Sequence, residues 1–98
     1  MSELRFEWNP AKASSNLTKH KVSFEEARMV FYDENAILIH DPEHSRDEER
    51  FLLLGMSPSA RFLVVCHCER EDGNVIRIIS ARKAERTERA IYLRRIKP

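Results

Sequence analysis

His67 and Glu69 break an otherwise apolar pattern. They lie in the stretch 61–82, RFLVVCHCEREDGNVIRIISAR, where two β-rich segments flank Asp72-Gly73. Asp-Gly in that setting is the strongest short-range hairpin signal. A two-residue turn there makes Glu71 face Asn74, Glu69 face Ile76 and His67 face Ile78. Side chains alternate along a strand. One face then carries Leu63, Val65, His67, Glu69, Ile76, Ile78, Ser80 and Arg82. The other carries Phe62, Val64, Cys66, Cys68, Arg70, Val75, Arg77 and Ile79. If Met56 pairs with Arg61 across Pro58-Ser59, Arg50 also faces His67.

Arg50, His67, Glu69 and Arg82 on one face suit chemistry on a phosphodiester. Histidine exchanges a proton near neutral pH. A carboxylate serves as base or orients the imidazole. Arginines bind a phosphate bidentately and stabilise a pentavalent transition state. In RNA the 2′-hydroxyl supplies the nucleophile, so no metal or cofactor is called for. His67 is then the general acid/base, with Glu69 as its orienting or partner base. Arg50 and Arg82 hold the scissile phosphate, and Arg77 contributes from the other face. Metal binding would need more ligands, and the nearby cations oppose it. Ser80 has no second histidine to complete a triad. Two glycines are too few for a phosphate loop. A structural alternative is a strand end tied by Arg50–Glu69 and Arg82–Glu69 ion pairs.

These residues need a scaffold, and the sequence supplies its parts in order. Arg5–Trp8 reads as a short strand. Asn9-Pro10 starts a helix, with Asn as N-cap and Pro at the first position, running to about His20. Lys12, Asn16 and Lys19 share one polar face, with Ala13, Leu17 and His20 on the apolar stripe. Ser23 and Glu26 fit a capping box for a second helix, with Val22 stapled to Ala27. That helix ends near Tyr32. Ala36–Asp41 and Arg50–Ser57 read as strands around an acidic loop, 42–49. A last, Arg-rich helix of about 12 residues follows Arg82, supported by Glu85 and Arg89 at i, i+4. The order β-α-α-β-β-β-β-α gives an α+β fold. Its sheet is an antiparallel meander of four or five strands, with two N-terminal helices and a C-terminal one. Phe6, Trp8, Leu17, Phe24, Phe31, Phe51, Leu53, Phe62 and Val64 are expected to be mostly buried.

Ninety-eight residues with 42% hydrophobic content make one domain, 1–98. No apolar run approaches the roughly 20 residues that span a bilayer. The start MSELRFEWNP lacks the basic and apolar regions of a signal peptide, so a cytoplasmic location is expected. Cys66 and Cys68 lie roughly 7 Å apart along one strand, too far for a relaxed disulfide. They read as buried, reduced thiols. Net charge is +1, yet residues 33–49 hold seven acids against one Arg, and residues 82–98 hold seven Lys/Arg against two Glu. Such a dipolar surface points to a charged partner.

The sequence resembles the BrnT family of type II toxins over nearly its whole length. The resemblance runs through Phe6-Glu7-Trp8-Asn9-Pro10 with Lys12, Asn16, Lys19 and His20, then Val22-Ser23-Phe24-Glu25-Glu26-Ala27. It continues with Asp41-Pro42, His44-Ser45, Glu49-Arg50-Phe51, Gly55, His67 and Glu69-Arg70. Ile76-Arg77-Ile78-Ile79-Ser80-Ala81-Arg82, Glu88-Arg89 and Tyr92 complete it. Asn9 stands where an Asp is common, Lys21 where a Gly is usual, and Glu85 where a Thr is usual. The resemblance implies a fold similar to the RelE-type ribonuclease toxins. It implies a metal-independent endoribonuclease that stops translation. It also implies an antitoxin similar to BrnA, through which alone operator DNA would be bound; no membrane is involved. RNA contacts are expected at Lys12, Lys19 and His20 on the first helix and at Arg86 and Arg89 on the last. The competing class is a non-catalytic module that binds nucleic acid or protein through the basic C-terminal helix.

Overall fold

A computed structural model describes residues 4–44 and 48–97. Five strands and three helices follow the expected order. They are β1 (Arg5–Glu7), α1 (Pro10–His20), α2 (Phe24–Met29), β2 (Ile37–Asp41), β3 (Arg50–Met56), β4 (Phe62–Arg70), β5 (Val75–Lys83) and α3 (Arg86–Ile96). Single 3-10 turns, Val30–Tyr32 and Pro42–His44, follow α2 and β2. No helix among the described residues is long and apolar enough to cross a membrane.

Local chemistry accounts for the helix ends. Asn9 accepts from the amides of Ala11 and Lys12 at 2.8 and 3.1 Å. Ser23 Oγ accepts from the Glu26 amide at 3.0 Å. The reciprocal half of that capping box is taken elsewhere. The Glu26 carboxylate accepts from Ser57, Ser59 and Arg61 at 2.7, 2.7 and 2.9 Å, tying α2 to the β3–β4 turn. Burial pushes the Glu26 carboxyl up, but these donors outweigh it and hold the group below its ordinary value. Lys21 ends α1 in the left-handed region, φ 59°. At α3 the capping box is built by Glu85 and Glu88.

The sheet order is β1-β5-β4-β3-β2. Strands β2 to β5 form the antiparallel meander, but β1 joins β5 in parallel, Arg5 beside Val75 through Glu7 beside Arg77. The wholly antiparallel expectation is corrected there. The entire meander separates β1 from β5 in sequence, so no hairpin dictates their relative direction. The central hairpin keeps two of the three pairings read from sequence, Glu69 with Ile76 and His67 with Ile78. Its turn is longer than expected: Glu71–Asn74 form it, with φ of 50°, 57° and 87° at Glu71, Asp72 and Gly73. Glu71 and Asn74 are therefore turn residues and not a ladder pair.

Two irregularities reset the faces. Met56 pairs with Phe62 rather than Arg61, so Arg50 sits opposite Cys68 rather than His67. The turn between these strands holds Ala60 at φ 61°, with the Ser57 amide donating to the Arg61 carbonyl at 2.9 Å. In β5 a bulge leaves Ile79 unpaired, because Cys66 faces Ser80 while the next residue, His67, faces Ile78.

Helices α1 and α2 cover one sheet face over Val22, Phe24, Ala27, Val30, Leu53, Leu63, Val65, Ile76, Ile78 and Ala81. Helix α3 covers part of the other face through Tyr92 on Leu54 and Val64. The Tyr92 hydroxyl donates to Asp33 Oδ2 at 2.8 Å, and its ring meets Phe62 edge-on. Burial, reinforced by that acceptor, pushes the Tyr92 phenol up to about 12. Of the expected core, Phe24, Leu53 and Val64 are buried, and Phe6, Trp8, Phe31, Phe51 and Phe62 are partly so. Leu17 is 50% exposed, and the residue α1 buries is Asn16.

Candidate active site

His67 is fully buried on β4. Phe31 meets its ring edge-on at 4.8 Å between centroids, and Phe51 stacks on it at 5.9 Å. Its Nδ1 lies 3.3 Å from the Val65 carbonyl. Among the described residues its Nε2 has no hydrogen-bond partner, with Glu69 Oε2 at 3.9 Å. Burial holds the imidazole below its ordinary range, only partly offset by that carbonyl. The ring lines a cleft of about 300 Å³ with Phe31, Leu38, Leu53, Glu69 and Ile76.

The sheet divides the expected constellation. His67 and Glu69 stay on the helix-covered face, while Arg50, Arg77 and Arg82 are all on the other. A one-residue slip at the β3–β4 turn carries Arg50 across. The Ile79 bulge carries Arg82 across, and Arg82 now pairs with Val64. One transverse row runs Asp41, Arg50, Cys68, Arg77, Glu7 over all five strands. Arg77 Nη1 donates to Glu7 at 2.8 Å. Arg82 forks onto Glu88 at 2.8 and 2.9 Å. That pairing holds the Arg82 guanidinium charged and the Glu88 carboxyl below its ordinary value. The Arg50–Glu69 and Arg82–Glu69 pairs of the structural alternative are thus precluded by the sheet between them.

Both thiols lie on the arginine face. Burial pushes Cys66 up, and burial together with Glu48 pushes Cys68 up to about 11. Both are protonated at neutral pH and neither is an activated nucleophile.

A groove of about 320 Å³ runs between α1 and β5. Lys12, Ser15, Lys19 and His20 line it from the helix, and Ile79 and Ser80 from the strand. Among the described residues, none of Lys12, Lys19 and His20 forms an ion pair. Arg86 and Arg89 stand exposed on α3. Sequence reasoning missed Ser80 as a shared element. It lines this groove, yet its register with Cys66 sets it on the arginine face. Alternation alone places it beside His67, and only the bulge moves it.

The molecule is thus a small α+β domain with cations on both sides of one strand, an arrangement suited to a polyanion. The family model described as "Ribonuclease toxin, BrnT, of type II toxin-antitoxin system" matches residues 8–88, and the chain belongs to that family. A similar solved structure is the 1.1 Å crystal structure of the Brucella abortus ribonuclease toxin BrnT. It superposes with a TM-score of 0.63 at 16% identity, covering 88% of this chain and 100% of that one. That likeness concerns the fold. No curated protein matches the sequence.

Proposed function

We propose that the chain is the toxin of a type II toxin–antitoxin pair, a cytoplasmic, metal-independent endoribonuclease with a RelE-like fold that stops translation. A cognate antitoxin resembling BrnA neutralises it and alone contacts operator DNA. Family membership supports the ribonuclease class. Ser80 supports the site, because it belongs to both the α1 groove and the arginine face. RNA lies over this stretch of β5. Lys12 and Lys19 hold the backbone on one side, and Arg50, Arg77 and Arg82 hold it on the other.

Proton transfer moves from His67 to His20 in this reading. His67 is fully buried against Phe31 and Phe51 and lines an apolar cleft away from the cations, while His20 is half-buried in the groove beside two lysines. His20 takes or gives the proton of the 2′-hydroxyl or leaving oxygen. The arginines stabilise the extra charge on phosphorus, exchanging their carboxylate partners Glu7 and Glu88 for phosphate. Metal independence belongs to the same reading, and chelation tests it.

The test is RNA cleavage by purified single variants, with circular dichroism as the folding control. His20→Ala should lose about 10²–10⁴-fold, and Arg77→Ala about 10²-fold or more. Excess EDTA should leave cleavage intact. A folded His20→Ala with full activity, or a His67→Leu that loses as much as His20→Ala, would return the chemistry to the buried pair. The binding-module reading draws on the exposed cations of α3. It predicts no cleavage by any form, and no growth arrest on expression alone.

A further inference from the structure

The RNA surface leaves out the cleft that His67 lines. Its walls are apolar: Phe31, Ala36, Leu38, Leu53 and Ile76. Its polar groups are acceptors. A carbonyl can only accept, so the contact of Nδ1 with Val65 places the ring proton on Nδ1. Nε2 then presents a lone pair, buried and without a partner among the described residues. Glu69 Oε2 lies 3.9 Å from it, too far for a hydrogen bond. The third polar wall, Asp33, is already satisfied by the amides of Asn35 and Met56 and by the Tyr92 hydroxyl. No cationic side chain lines the cleft among the described residues.

Two acceptors with no donor, at the foot of an apolar slot, define what fits. The occupant brings N–H donors, a positive charge and an apolar stem. Arginine combines these: its guanidinium is a rigid fork of donors, and its methylene chain packs on aliphatic walls. Lysine offers a single point charge, which matches two separated acceptors less well. We propose that this cleft is a docking socket for an arginine side chain of a protein partner, with Glu69 and His67 Nε2 receiving the fork. The partner is the antitoxin, and in this respect the inference rests on the toxin–antitoxin reading. The socket lies on the sheet face opposite the three arginines, so it anchors the partner apart from the RNA surface.

The experiment uses the full chain with its histidines labelled with carbon-13. The probe is N-acetyl-arginine methylamide, with the citrulline analogue as a neutral isostere. The arginine probe should shift the His67 ring signals saturably, and citrulline should not. Glu69→Gln should weaken the response about tenfold, the loss of one charge-assisted acceptor. Equal responses to both probes, or none at His67, overturn the socket. The co-expressed antitoxin complex supplies the second arm. There the His67 signals should already be displaced and silent to the probe. A complex that forms while His67 stays responsive overturns the socket but leaves the toxin–antitoxin reading standing. Failure of any complex to form overturns the named occupant, while the probe result on the free chain stands apart.

Discussion

Asn16 and Ala81 exchange hydrogen bonds as two neighbouring strands would. Asn16 Nδ2 donates to the Ala81 carbonyl at 2.8 Å, and the Ala81 amide donates to Asn16 Oδ1 at 3.1 Å. The same Nδ2 reaches the Val22 carbonyl at 2.9 Å. Strand β1 pairs only with Val75–Arg77, so the rest of that edge needs partners. A side-chain amide on α1 supplies them at Ala81 and fixes the helix to the strand.

Replacing Asn16 strands three backbone groups away from water. Each buried unsatisfied group costs about 1–3 kcal/mol. Asn16→Ala should therefore lower unfolding free energy by about 3 kcal/mol or more. Asn16→Asp, which has no donor for either carbonyl, should lose a similar amount at pH 7. Urea melts decide it, and a loss under about 0.5 kcal/mol, the range of a neutral surface change, would sink the idea.

Gly55 is a close-approach glycine. A Cβ there would meet Val30 Cγ1 at 2.7 Å, Asp33 Oδ2 at 3.0 Å and Ala36 Cβ at 3.1 Å. Gly55→Ala should cost about 1–3 kcal/mol by overpacking. It also presses on the Asp33 carboxylate that holds Tyr92, so near-ultraviolet circular dichroism should change with the melting temperature.

Lys21 should gain from the opposite substitution. It sits at φ 59°, and its amide bonds the Leu17 carbonyl at 3.0 Å. A left-handed non-glycine residue costs about 1–2 kcal/mol. Lys21→Gly should relieve most of this, a rise of about 0.5–1 kcal/mol once unfolded-state entropy is counted. Its carbonyl acceptor for Arg61 is kept. An unchanged or lower melting temperature would count against a strained cap.

The buried His67 makes stability depend on pH. Its folded value lies below the ordinary 6.5, chiefly through burial. The unfolded chain therefore binds more protons at this site below pH 6.5, and stability falls as pH falls. His67→Leu should flatten the decline between pH 6.5 and the carboxylate range. Denaturant titrations of both proteins across that window would show it, and parallel curves would refute it.

Helix α3 bears exposed Arg86, Arg89, Arg94 and Arg95, with exposed Lys97 just past its end, while Glu88 is engaged by Arg82. An acidic antitoxin segment should be steered onto it. Changing Arg86, Arg89 and Arg94 to Glu should slow association about tenfold or more at low salt and flatten its salt dependence. Unchanged kinetics would rule out this surface.

Much of this fold is legible in the residues. Asn9-Pro10 marks the start of α1, Ser23 the start of α2, and Asp72-Gly73 the hairpin, and each mark is local chemistry. Both reversals came where local chemistry is silent. Ala60 adopts a left-handed backbone without a glycine to announce it, and the extra turn residue moved Arg50 across the sheet. In RIISAR, any of three consecutive aliphatic or small residues can be the unpaired one, and tertiary packing selects Ile79. Leu17 and Asn16 exchanged roles because the edge of β5 needed an amide more than the core needed a leucine. The α1 groove was half legible: Lys12, Lys19 and His20 follow from helical spacing, but their meeting with Ser80 follows from the bulge.

The bulge also sets how this strand tolerates a change of length. A one-residue deletion usually turns every later side chain to the wrong side of a sheet. Removing Ile79 is different: it straightens the ladder and leaves Ala81 toward Asn16 and Arg82 away from it. A second insertion has no such reserve. Ile79 also lines the α1 groove. A chain lacking it should fold with its pairings intact yet hold a differently shaped groove, so heredity could remodel this surface by one codon without touching the core.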